Sequence, residues 1–157
     1  MIVNKILGNL KDFDLSGKSG DNLGGNLSGK KIDFAQISND DRLKKVLRVK
    51  SNSGTELGIS VENELKNGDI LAIFDDSVII VEILPTDVLE IYPANLKEMG
   101  FLAHNIGNRH TPAIFEENLI IIEPDSVIEE FLTSQKAKFI KTKRVLKTAL
   151  KHAEHSH

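Results

Sequence analysis

The sequence changes its hydrophobic rhythm at Pro85-Thr86-Asp87, and this change restricts the possible folds more than any other feature. Upstream, short apolar runs are separated by turn signals such as Asn67-Gly68-Asp69. Runs of this kind predict strands joined in hairpins. The predicted strands cover residues 2–7, 46–49, 57–61, 70–74 and 77–84. Residues 1–84 are therefore expected to form an N-terminal antiparallel β-domain, either a sandwich or a partial barrel.

Downstream of the boundary, strands alternate with two amphipathic helices. Asn95 with Glu98 predicts the start of the first helix, and Pro124-Asp125 predicts the start of the second. The predicted strands cover residues 88–92, 113–115, 119–122 and 138–141. The resulting order, βαββαβ, is that of the split βαβ or ferredoxin-like arrangement. We therefore expect an α+β chain whose second domain spans residues 85–147.

Each predicted helix carries an apolar stripe that is expected to be buried, because its members recur at spacings of three and four. In the first helix Phe101 and Leu102 are expected to be exposed neighbours of the stripe. The two stripes comprise Leu96, Met99, Ala103 and Ile106 in the first helix, and Val127, Ile128, Phe131 and Leu132 in the second.

A segment rich in glycine, serine and asparagine lies at residues 15–30. Such a composition buries little apolar surface and loses much backbone entropy when ordered, so it predicts a flexible surface loop. Its glycines and lysines also raise the alternative of a phosphate cradle, but the order of these residues does not match that of a P-loop.

The histidines suggest a metal site. The chain has no cysteine, which excludes a disulfide framework and a thiolate zinc site and leaves imidazole and carboxylate as ligands. Imidazole suits nickel, copper and zinc. The C-terminal segment 148–157 has no apolar residue after Ala153 and is expected to be a flexible tail that either chelates a cation or has no function. The five histidines are His104, His110, His152, His155 and His157.

Two placements of His110 are compatible with the sequence. If the first helix continues to this point, His110 extends the apolar stripe. If Gly107 or Asn108 ends the helix in the left-handed conformation, His110 emerges beyond its C-terminal end, beside unpaired carbonyls. Both placements suit the binding of a cation. The simpler alternative is that His110 binds no metal and only caps the helix or packs against its neighbours.

The stretch Gly107-Asn108-Arg109-His110, followed by Pro112, resembles the UreE family of urease accessory proteins, which are nickel metallochaperones. The resemblance extends over residues 42–135, with support from residues 54–59 and 67–71 and from the histidine-bearing C-terminus. It implies a homodimer in which both subunits supply His110 to one nickel ion and His152, His155 and His157 add ligands. The tail is shorter than in some members, and the segment before residue 30 has no evident counterpart.

The chemistry and spacing of the neighbouring residues predict their roles, and the resemblance implies a set of partners. Gly107 and Asn108 are expected to shape the turn, Arg109 to contact a partner or support the structure, and His104 to be a secondary metal site or a surface residue. Zinc or copper is expected to compete with nickel, since imidazole alone does not select among these ions. The implied partners are the urease maturation proteins, including the urease GTPase, and apo-urease, with no turnover by this protein.

Two other functions are compatible with parts of the sequence. A metallohydrolase would require three fixed ligands and a general base, and the chain has no HExxH motif. A protein- or nucleic-acid-binding module could use the basic segment 136–151, but a net charge of -3 and 5% aromatic residues disfavour nucleic acid. No apolar run is long enough for a signal peptide or a membrane span, so a cytoplasmic protein is expected.

Overall fold

A computed structural model describes residues 1–13 and 27–150 and divides the chain into two compact units. The first unit contains Met1–Leu84 together with Val145–Ala149, and the second contains Pro85–Arg144 together with Leu150. Within the described ranges, no helix is long and apolar enough to cross a membrane.

Six strands form two three-stranded sheets in the first unit. The sheets have the strand orders β1-β4-β3 and β2-β6-β5. The predicted hairpins β3–β4 and β5–β6 are confirmed as antiparallel pairs. The six strands are β1 (Ile2–Val3), β2 (Lys31–Ile37), β3 (Val46–Lys50), β4 (Glu56–Ser60), β5 (Ile70–Ile73) and β6 (Ser77–Ile83).

The expectation of a purely antiparallel first domain is wrong. Strand β1 pairs with β4 in parallel, and the unpredicted strand β2 pairs with β6 in parallel along its whole length. Parallel partners are distant in sequence and are not joined by a tight turn, so no local signal marks their pairing. The predicted first strand is also too long, because pairing ends at Val3.

The last part of the segment that is expected to be a flexible loop, residues 27–30, contacts the sheet that contains β5 and β6. Leu27 is buried and packs with Ile70, Val78 and Ile80. The Lys30 ammonium donates to the carbonyls of Phe74 and Asp75 at 2.6 and 2.8 Å. Residues 27–30 are therefore fixed to the sheet that contains β5 and β6. Residues 14–26, which include most of the glycine-rich segment, lie outside the described residues.

The boundary expected at residue 147 also differs from the observed division. Residues 145–149 belong to the first unit, since Leu146 and Ala149 are buried and Arg42 binds the carbonyls of Leu146 and Lys147. The chain therefore leaves the first unit after Leu84 and returns to it after Arg144. The remainder of the expected tail, residues 151–157, lies outside the described residues.

The second unit contains one four-stranded sheet and two helices. The strand order is β10-β7-β9-β8, and neighbouring strands are antiparallel. Its core contains Leu89, Ile91, Ile120 and Ile122 from the sheet, packed against residues of both helices. The elements are β7 (Thr86–Tyr92), α1 (Leu96–Asn108), β8 (Ala113–Glu116), β9 (Leu119–Ile122), α2 (Ser126–Ser134) and β10 (Lys138–Arg144).

The buried faces of the helices differ from the predicted stripes. In α1 the fully buried residues are Leu102 and Ile106, whereas Leu96 is 88% exposed. Leu96 lies about 120° around the helix axis from Leu102, so the two cannot face the same core. In α2, Ile128 and Leu132 are buried but Val127 is 49% exposed. The predictions that Leu96 and Val127 are buried and that Leu102 is exposed are therefore wrong.

Candidate metal centre

The helix α1 positions the histidine motif. Asn95 accepts a hydrogen bond from the Glu98 amide at 2.9 Å and caps the helix as predicted, while the Glu98 carboxylate accepts from the Ala94 amide. Leu102 and Ile106 attach the helix to the core of the second unit. Since Ile106 is only four residues before His110, the orientation of the motif follows directly from this packing.

The helix ends at Asn108, and His110 lies just beyond its C-terminal end. The Arg109 amide donates to the Ile106 carbonyl at 3.1 Å, and the His110 amide donates to the Gly107 carbonyl at 2.9 Å. His110 has φ 55, in the left-handed region, whereas neither Gly107 nor Asn108 has a positive φ. Of the two predicted placements, the second is observed, but the left-handed residue is the histidine itself.

The His110 side chain is exposed at the end of the helix where the carbonyls carry the negative end of the macrodipole. A cation is favoured there, and a neutral imidazole can donate a lone pair to it. Gly107 is helical, and a Cβ added to it would meet nothing within 4 Å among the described residues. Neither backbone conformation nor crowding explains the expected turn-shaping role of Gly107.

His104 lies on the exposed face of α1 and faces Asn108. Its Nε2 is 3.3 Å from the Asn108 amide nitrogen, as expected for side chains four residues apart on a helix. Arg109 is exposed as well. The structure thus brings His104 together with Asn108, and places His110 past the turn that follows.

No group of three histidine, aspartate or glutamate side chains able to hold a metal occurs in residues 1–13 and 27–150. The exposed imidazole of His110 is a suitable ligand. Within the described part of one chain, however, too few other ligands lie near it to complete the coordination of a metal ion. The other predicted ligands, His152, His155 and His157, lie outside the described residues.

Three cations of the basic segment lie beside carboxylates. Lys141 lies 2.8 Å from Glu129, and Lys143 lies 3.5 Å from Asp87. Arg144 lies 3.3 Å from Glu90 and 3.4 Å from Glu116. Lys138 stands over the Tyr92 ring at 5.6 Å. Three of the four basic side chains of β10 therefore have a carboxylate partner, which reduces the positive charge that the basic segment offers to a partner.

The sequence is similar to those of known proteins. The chain is 42% identical to the urease accessory protein UreE of Bacillus cereus, over 82% of this chain and 86% of that protein. It is 41% identical to that of Geobacillus kaustophilus, over 80% and 86%. It is 35% identical to that of Staphylococcus carnosus, over 100% and 99%. The class of protein is therefore that of the urease accessory proteins.

Two family models divide the chain between them. The model for the N-terminal domain of the UreE urease accessory protein matches residues 3–84, and the model for its C-terminal domain matches residues 86–157. The chain belongs to the UreE family. The resemblance found in the Gly107–His110 motif is thus confirmed over both units.

Proposed function

We propose that this protein is a nickel-binding metallochaperone that delivers Ni(II) for assembly of the urease active site. The observation that carries the proposal is His110, an exposed imidazole at the C-terminal end of α1 in a chain of the UreE family. Nickel is the cargo and the protein performs no catalytic turnover, in keeping with relatives that are named accessory proteins.

The proposed site is shared by two chains. One histidine holds a metal poorly, but an isologous two-fold contact doubles every residue near its axis. The surface of α1 offers apolar side chains for such a contact, because Leu96 is 88% and Phe101 47% exposed. The two lie about 140° apart around the helix axis, so each is a separate candidate for the contact. Phe101 also packs against Phe131 of α2, with ring centroids 6.1 Å apart. A homodimer that joins two copies of His110 is the proposed state.

The ferredoxin-like assignment of the second unit belongs to the same proposal. The order β7-α1-β8-β9-α2-β10 and the sheet order β10-β7-β9-β8 support it. In this arrangement both helices pack on one face of the sheet. The C-terminal end of α1 then carries His110, whose side chain is exposed.

The remaining parts of the proposal concern the tail, the partners and the location. His152, His155 and His157 add ligands, and His104 is a secondary site. Zinc or copper competes for the same imidazoles, because the ligand type does not exclude them.

The partners are the other urease maturation proteins, including the GTPase, and apo-urease, and the protein acts in the cytoplasm. Gly107, Asn108 and Arg109 serve the contact surface around His110.

Nickel titration calorimetry of His110→Ala tests the proposal. Loss of the shared ligand is expected to weaken the tightest site by about a hundredfold or more. The matched control is His104→Ala, an exposed imidazole on the same helix, which is expected to keep the tightest site. Equal nickel affinity in His110→Ala and the unaltered protein would refute the assignment.

A further inference from the structure

A fully buried arginine is fixed to the core of the first unit. Arg42 lies in a short 3-10 helix, Asp41–Leu43, and its side chain is 0% exposed. Its backbone carbonyl accepts from the Leu65 amide at 3.1 Å, and its Nε donates to the Leu65 carbonyl at 2.9 Å. Leu65 is itself 0% exposed and belongs to the apolar core of the unit. Both the backbone and the side chain of Arg42 are therefore attached to that core.

The other end of the same guanidinium holds a segment more than one hundred residues later in the chain. Its Nη1 donates to the Leu146 carbonyl at 2.7 Å, and its Nη2 donates to the Lys147 carbonyl at 3.0 Å. Glu64 completes the attachment, because one of its oxygens lies 3.1 Å from Arg42 Nε and accepts from the Ala149 amide at 2.6 Å. Two side chains near the core thus bind three backbone groups of the returning segment.

Apolar packing accompanies these polar contacts. The side chains of Leu146 and Ala149 are 2% and 4% exposed, values like those of the core residues of the unit. Burial of apolar surface favours the attached state of the segment. We call Arg42, Glu64 and residues 146–149 together the C-terminal clamp.

Opening of the clamp would leave a buried cation with too few acceptors. Release of residues 146–149 removes two carbonyls from the guanidinium and one amide from Glu64. Burial lowers the pKa of Arg42, opposed by the carboxylates of Glu64 and Asp69, yet a guanidinium remains protonated in proteins. Because a buried charge that loses its partners is strongly destabilised, the clamp is expected to open only when the surrounding core opens with it.

We infer that the clamp belongs to the same cooperative folding unit as the strands β1–β6, so that residues 146–149 complete the fold of the first unit. These residues follow β10, the last strand of the second unit. During synthesis the first unit therefore closes only after the whole second unit has been made. The alternative is a local latch that opens while β1–β6 stay folded. This dependence involves no metal, so it stands apart from the proposed function.

Native-state hydrogen exchange of the full chain separates the two cases. The Ala149 amide reports the clamp, and the Val81 amide, which donates to the Asp69 carbonyl at 2.8 Å, reports the sheet that contains β6. If both open together, their protection factors agree within about tenfold and fall with the same slope in urea. An Ala149 amide that is protected more than about tenfold less, or that has a smaller urea slope, overturns the inference.

A pair of neighbouring substitutions tests the same dependence from within the segment. Leu146→Ala removes a buried side chain from the clamp, and Val145→Ala, at a residue that is 43% exposed, is the matched control. Leu146→Ala is expected to lower the protection of the Val81 amide about tenfold or more, while Val145→Ala changes it by less than about twofold. Circular dichroism checks that both variants fold. Unchanged Val81 protection in Leu146→Ala overturns the inference, and exchange in the unaltered protein decides the question if that variant does not fold.

Limited trypsin digestion gives a second measure of clamp opening. Trypsin cleaves after lysine, and the carbonyl of the Lys147–Thr148 bond is the one that Arg42 binds. Because this bond must leave the clamp to enter the protease, Leu146→Ala is expected to speed cleavage after Lys147 about tenfold, and Val145→Ala to leave it unchanged. Equal cleavage rates in the two variants, or cleavage of the unaltered protein as fast as that of an unstructured peptide with the same site, overturn the clamp.

Discussion

His110 combines an exposed imidazole with a backbone conformation that favours glycine. Its φ of 55 lies in the left-handed region, which costs a residue with a Cβ about 1 kcal/mol. The position past a helix end where such a φ occurs is commonly filled by glycine or asparagine. The chain therefore places the proposed metal ligand where another residue would stabilise the fold better, as is typical of functional sites.

This conflict predicts that stability and nickel binding respond in opposite directions to one substitution. His110→Gly is expected to raise the free energy of unfolding of the metal-free protein by about 0.5–1 kcal/mol while abolishing the tight nickel site. Urea denaturation and nickel titration measure the two effects. Lys136→Gly is the control, because Lys136 also has a positive φ, 56, at the end of α2. It is expected to stabilise the protein without altering nickel binding, and a destabilised His110→Gly would contradict this account.

The residues of the histidine motif can be recognised in the sequence, but their backbone conformation cannot be predicted from it. Gly107-Asn108-Arg109-His110 is recognisable, yet the usual preference of glycine for positive φ assigns the left-handed position to Gly107 or Asn108. In the structure the left-handed residue comes later in the chain, at His110. The amides of Arg109 and His110 donate to carbonyls of the last helical turn. Arg42 carried no signal either, since nothing local distinguishes an arginine that will be buried from one that will be solvated.

Among the elements, the strand β2 is fixed to the turn between β3 and β4 by Asp33. Its carboxylate accepts from the Ser53 amide at 3.0 Å and from the Ser53 hydroxyl. Burial raises the pKa of Asp33, but hydrogen bonds from Ser51 and Ser53 outweigh burial, and the pKa lies below its ordinary value of 3.8. The ionised carboxylate therefore stabilises the folded state.

Because the folded pKa is depressed, this stabilisation is present above the unfolded pKa and is lost as pH falls through the folded pKa. The free energy of unfolding lost in Asp33→Asn is expected to be constant above about pH 5 and to shrink below about pH 4. Urea denaturation at several pH values above about 5 and below about 4 measures it. Asp40→Asn serves as control, since that side chain makes no cap hydrogen bond. A loss in Asp33→Asn that does not vary with pH would contradict the assignment.

The predictability of the elements depends on how local their signals are. Both hairpins of the first unit and both helix caps of the second were predicted, because turn residues and capping side chains lie within a few positions of the elements that they define. The strand β2 was missed because it follows the glycine-rich segment and has a parallel partner more than forty residues away. The apolar stripe predicted for α1 differs from its buried face because Leu96, in the first turn of the helix, faces away from the core.

For the whole molecule, the proposed dimer makes a prediction about the exposed face of α1. Leu96→Asp places a charge on a side chain that is 88% exposed in the single chain, so the fold is expected to persist. If the two-fold contact covers this side chain, an unpaired charge is buried there and the dimer dissociates at concentrations about tenfold or more higher. Sedimentation velocity measures the change.

Val46→Asp is the control for that experiment. Val46 is 71% exposed on β3 of the first unit, away from the proposed dimer surface in sequence and in fold unit. It is expected to leave the dimer intact. Dissociation of both variants to the same extent, or of Val46→Asp alone, would contradict an α1-centred contact.

The shared nickel site is tested most directly by measuring bound nickel per chain together with the mass of the species that holds it. Native mass spectrometry of the protein, whose chain has a mass of 17.4 kDa, gives both quantities at once. We expect one tightly held nickel per two chains, present only in the dimer and absent from His110→Ala. One tight nickel on each single chain, retained in His110→Ala, would contradict it.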